Sequence, residues 1–65
     1  MTKEPVESIN IDFLDSTGTW RTMNGGVYNN PQYIAIALRS AKQRYPNLRF
    51  RAVGATTSKI YDMLM

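Results

Sequence analysis

Two stretches of the chain alternate apolar and polar residues with a period of two, and the segment between them repeats at helical spacing. In Ile9 to Asp15, Ile9, Ile11 and Phe13 fall on one face and Asn10 and Asp12 on the other, which predicts a half-buried strand. Asp15-Ser16-Thr17-Gly18 has the chemistry of a turn, and Thr19 to Met23 is rich in strand formers, so the two runs read as a β-hairpin. Asn24-Gly25-Gly26 breaks the second strand, and Val27-Tyr28 either resumes it or begins the loop. Asn30-Pro31 marks a helix start, because the Asn side chain can cap free N–H groups and Pro at the first helical position sacrifices no bond. The helix is predicted to run to about Tyr45, ahead of Pro46, with Ile34, Ala37, Leu38, Ala41 and Tyr45 as its apolar stripe. Leu48 to Val53 alternates again, Gly54 to Thr57 is a loop, and Lys59 to Leu64 forms the last strand.

The order is therefore ββαββ. It predicts an α+β fold, a four-stranded and mainly antiparallel sheet with one helix packed on one face. Residues 1–8 read as a flexible polar lead and 9–65 as a single domain. If Ile9, Ile11, Phe13, Leu48, Phe50, Ala52, Ile60 and Leu64 face the helix, then Arg49, Arg51, Val53, Tyr61 and Met63 face outward. The second strand can be phased either way. Burying the large indole of Trp20 favours exposing Arg21 and Met23. The predicted partner-binding set is Arg21, Met23, Arg49, Arg51, Tyr61 and Met63, on one open sheet face.

Length changes how that face is read. At 65 residues the chain is near the lower limit for folding alone, with about 60% of its unfolded surface buried. With no Cys and no His, neither a disulfide nor a common zinc site can staple it, which keeps a homodimer in view. The longest apolar run, Tyr33 to Leu38, is six residues, too short to span a membrane. Met1 to Asn10 carries Glu4, Pro5 and Glu7 where an export signal would be basic and then apolar, so a cytoplasmic location is the expectation.

Charge is unevenly placed. Residues 1–20 set Lys3 against Glu4, Glu7, Asp12 and Asp15, a net −3, whereas residues 21–65 carry seven cations against Asp62, a net +6. The asymmetry suggests an acidic partner for the C-terminal half or a self-complementary contact between halves. Its plainer explanation is a solvated surface.

Catalytic chemistry finds little support. Without His or Cys there is no serine or cysteine triad, and Ser16, Ser40 and Ser58 have no imidazole to activate them. Asp12 and Asp15, three apart, point to opposite sides of a strand and so do not pair as glycosidase carboxylates do. Asn24-Gly25-Gly26 lacks the Lys-Ser/Thr or third glycine of a nucleotide fingerprint and reads as a tight turn. No enzyme activity, cofactor, metal or small-molecule substrate is predicted.

Trp20-Arg21-Thr22, Asn29-Asn30-Pro31-Gln32, Arg49-Phe50-Arg51-Ala52-Val53 and Ile60-Tyr61-Asp62-Met63-Leu64 together resemble small uncharacterised proteins carried by bacteriophages and prophages. The resemblance covers about residues 9–65 and implies a phage-type accessory protein without a specific activity. It transfers no functional residue.

Arg, Tyr and Met are types enriched at protein interfaces, so the open face reads first as a surface for a protein partner or a second copy of the chain. The alternative is single-stranded nucleic acid, with guanidinium groups on phosphates and Tyr61 as a stacking surface, although one aromatic is fewer than sheet-based binders usually present. A third reading makes Arg49 and Arg51 plain strand residues paired with Asp12 or Asp62, worth under about 1 kcal/mol each.

Overall fold

Alternation, a capped helix start and two turns give the architecture that the pattern predicts. A computed structural model describes residues 7–64. β1 (Ile9–Leu14) and β2 (Trp20–Val27) form the first hairpin, α1 (Pro31–Arg44) follows, and β3 (Phe50–Gly54) and β4 (Ile60–Leu64) form the second. The four strands make one open sheet in the order β2-β1-β3-β4, and all three pairings are antiparallel. The predicted lead falls partly outside the described residues. Its last two residues are tied down: Ser8 O accepts from Ala55 N, and the Glu7 carboxylate accepts from Thr57 N–H and from the Thr57 and Tyr61 hydroxyls.

α1 begins where Asn30 accepts a bond from Gln32 N–H, with Pro31 in the first turn, and ends at Tyr45, whose N–H still reaches Ala41 O. It buries Ile34, Leu38 and Ala41 against Ile9, Ile11, Phe50 and Ala52 of the two central strands. Lys42 Nζ donates to Leu48 O at 2.6 Å, fastening the helix end to the segment that enters β3.

Two strands depart from simple alternation, and each departure moves side chains between faces. The β1–β2 register slips twice, between Ile9 and Ile11 and between Ile11 and Asp12, so the β2 residues opposite Phe13, Ile11 and Ile9 are Arg21, Asn24 and Val27. Each bulge inserts one extra residue, which stretches the inward spacing of β2 from two to three. Gly26, at φ 72°, supplies the left-handed backbone in the irregularity between Ile9 and Ile11. In β4 the slip lies between Ala52 and Val53, whose partners are Asp62 and Ile60, and leaves Tyr61 as the extra residue.

Candidate functional site

Residues directly opposite on neighbouring strands share a face. Thr22, Asp12, Arg51 and Met63 therefore form one row across all four strands on the side away from α1, flanked by Leu14 opposite Trp20 and by Asn10, Val53 and Ile60. This is the open face, and its membership differs from the predicted set in three places.

Trp20 lies on it, and Arg21 does not. The hairpin turn fixes Leu14 opposite Trp20 and Phe13 opposite Arg21, and Phe13 packs on the helix-side core. Arg21 is drawn along its strand to the Asp15 carboxylate at the turn. Met23 also falls on the helix side, where it lines a groove with Ile11 and Ala41. Burial was the wrong criterion for Trp20, since the indole gains its cover on the open face from Arg51, whose guanidinium sits 4.4 Å from the ring centroid.

Tyr61 is the third difference. As the bulged residue of β4 it packs against the helix-side core, and its hydroxyl donates to Glu7 Oε1 at 2.6 Å. That bond raises the Tyr61 pKa and lowers that of Glu7. Ile60, placed with the core by alternation, stands exposed on the open face opposite Val53. Gly54 accommodates this arrangement, because a Cβ there would overlap the Glu7 carboxylate.

Arg51 and Met63 hold their predicted places, and Arg49, exposed, continues the alternation of Arg51 just before β3. Arg51 is engaged on both sides, by Asp12 and by the Trp20 ring. Its Nε donates to Asp12 Oδ2 at 3.1 Å while Thr22 Oγ1 donates to Asp12 Oδ1 at 3.0 Å. Asp12 and Val53 are each only 7% exposed although no helix covers them, so the face is roofed in part by its own side chains. What it leaves accessible is Met63, Ile60, Thr22 and Arg49, with half-buried Trp20 and Leu14 beside them.

Sequence reasoning left Trp20 and Ile60 off this surface, whereas alternation did place Asp12 opposite the helix-facing residues and offered it as a partner for Arg51. The Asp15-Ser16-Thr17-Gly18 turn is the available signal for Trp20, because the turn sets Leu14 opposite Trp20 and so fixes the phase of β2 where it begins. Among the described residues, no group of three or more metal-ligating side chains comes together. Among those same residues, no helix is long and apolar enough to cross a membrane. Comparison with known proteins finds no matching family model, no matching curated protein and no matching solved structure.

Proposed function

We propose that this chain is a small interaction module that binds a protein partner, or a second copy of itself, through the open face of its sheet. The carrying observation is that Asp12 and Trp20 engage Arg51 at the centre of the face, so its middle offers apolar contact area around a paired cation, with exposed Arg49 at its border. Met63, Ile60, Trp20 and Leu14 around a satisfied ion pair match an interface core, where unpaired charge is depleted and Trp, Met and Arg are enriched. The resemblance to phage-carried proteins makes a phage-type accessory role part of the same proposal, with no catalysis and no cofactor.

One observation favours nucleic acid as the second reading. Trp20 joins Arg49 and Arg51 on the open face and supplies a stacking aromatic there. Against it, the guanidinium of Arg51 already occupies a face of the indole on which a base would stack.

Trp20 is the chain's single tryptophan, so its emission reports on this face alone. The test is emission and light-scattering mass as chain concentration rises, or as a candidate partner is added, for the wild type and Met63→Glu. A blue shift that accompanies complex formation and disappears in Met63→Glu supports the proposal. Complex formation that leaves Trp20 emission unmoved and survives Met63→Glu would sink it. Quenching by a single-stranded oligonucleotide that fades steeply with salt would install the second reading instead.

A further inference from the structure

Most of the exposed large apolar side chains lie on a different surface. Of the seven among the described residues (Met23, Tyr28, Tyr33, Ile36, Tyr45, Ile60 and Met63), only Ile60 and Met63 belong to the open face. Met23 and Tyr45 wall a groove of about 530 Å³ between β2 and α1, floored by the small residues Ala37, Ser40 and Ala41 and bordered by Arg44. Tyr33 extends the same helical stripe, since 33, 37, 40 and 44 recur at the spacing that shares one side of a helix. Tyr28 continues it into the preceding loop, its ring 5.3 Å from that of Tyr33. Ile36 stands one turn before Ser40. A volume of this size lies within the range of ordinary ligand pockets.

Electrostatics narrows what would fill it. Among the described residues no carboxylate lines the groove, and Arg44 is its only charged side chain. α1 has no acidic residue at all, while Arg39, Lys42 and Arg44 crowd its second half. Among the described residues the ion pairs are Arg21 with Asp15 and Arg51 with Asp12, so these helix cations have no carboxylate within 4.0 Å. A small floor, one methionine and one tyrosine wall, and a guanidinium at one end with no ion-pair partner among the described residues are complementary to a large apolar side chain with a carboxylate beside it.

We infer that the β2–α1 groove is a second binding site, which takes a short peptide segment of a partner protein carrying a large apolar or aromatic residue next to Asp or Glu. The apolar side chain fills the space over Ala37, Ser40 and Ala41 between Met23 and Tyr45, and the carboxylate pairs with Arg44. The bulges of β2 bend this edge away from regular strand pairing, which suits capture of a side chain better than extension of the sheet. The inference does not depend on the open face.

The test is selection from an unbiased displayed library of random linear peptides on the immobilised chain, followed by affinity measurement of one labelled selected peptide. Wild-type chain is expected to enrich an apolar or aromatic residue adjacent to Asp or Glu. Ser40→Trp, which fills the groove from an exposed helix position, should weaken the selected peptide by on the order of tenfold or more. Arg44→Glu should turn the flanking preference from acidic to basic, and it decides the matter if circular dichroism shows that Ser40→Trp misfolds. Met63→Glu, on the open face, should leave the affinity unchanged. Absence of any enriched motif, a motif without the acid, or a motif that folded Ser40→Trp and Arg44→Glu both retain would overturn the inference.

Discussion

Asp15 shows how one short side chain can hold a hairpin. Its Oδ1 accepts from Thr17 N–H, the Thr17 hydroxyl and Thr19 N–H, while Oδ2 receives the Arg21 guanidinium. The Thr17 bond first, and then Arg21, hold its carboxyl well below the usual carboxylate range. A folded-state pKa below the unfolded value means a stabilising contribution that is complete above about pH 4 to 5 and is lost as the pH falls through the folded value. Glu7 is lowered in the same direction by Tyr61 and Thr57, so acid weakens both contacts together. Asp15→Asn should therefore melt earlier than wild type at pH 7, and the gap should close as the pH is lowered toward 2. Thermal melts across that range check it, and a constant gap would show that the carboxylate charge is irrelevant. Asp12 differs in being buried. Replacing it with Ala leaves Arg51 and Thr22 without their acceptor and should cost about 1–3 kcal/mol in denaturant unfolding, with a change in Trp20 emission as Arg51 shifts over the ring. Stability loss with unaltered emission would mean that Asp12 does not position Arg51.

At the scale of elements, local chemistry carries most of the fold. Asn30 caps the orphan donors of α1 without help from any acidic residue in the first turn, so Asn30→Ala should cost about 0.5–2 kcal/mol, measured by chemical denaturation. Helix, strands and their order could all be read from the chain because Asn30-Pro31, Pro46 and the runs Ile9-Ile11-Phe13 and Phe50-Ala52 each act through near neighbours. The faces of β2 and β4 could not. They depend on where the register slips, and a slip is decided by pairing across strands instead of by the residues within one. A two-residue alternation put Tyr61 outside and Ile60 inside, and the bulge at Tyr61 exchanges them. That exchange can be measured. Tyr61→Ala should destabilise the isolated chain by roughly 1–3 kcal/mol, through lost packing and the loss of one of the bonds to Glu7, whereas Met63→Ala should stay within about 0.5 kcal/mol. The reverse ranking would restore the simple alternation and remove Tyr61 from the core.

Across the whole molecule, the division into an acidic first third and a basic remainder dissolves on folding. β1, which carries Asp12, lies between β2 and β3, and its neighbours bring Arg21 to Asp15 and Arg51 to Asp12. Two acids of the N-terminal segment are thus spent inside the fold, and of the five cations without an ion pair among the described residues, Arg39, Lys42 and Arg44 lie on α1 and Arg49 and Lys59 outside it. The largest group of unpaired cations is therefore on the helix. With a total surface of 4928 Å², a standard interface of about 800 Å² per partner would cover roughly a sixth of the molecule, so open face and helix flank can each hold a partner without overlap. The uneven charge gives a direct check. Arg21→Gln and Arg39→Gln each remove one positive charge, yet the first also releases Asp15 while the second takes a cation from the unpaired helix patch. If the patch governs attraction to anionic surfaces, Arg39→Gln should elute from a cation-exchange column at clearly lower salt than wild type. Arg21→Gln, whose cation is already held by a neighbouring carboxylate, should shift less. Equal shifts would mean that net charge alone sets the interaction, and that the pairing within the sheet does not direct the chain's cations to the helix.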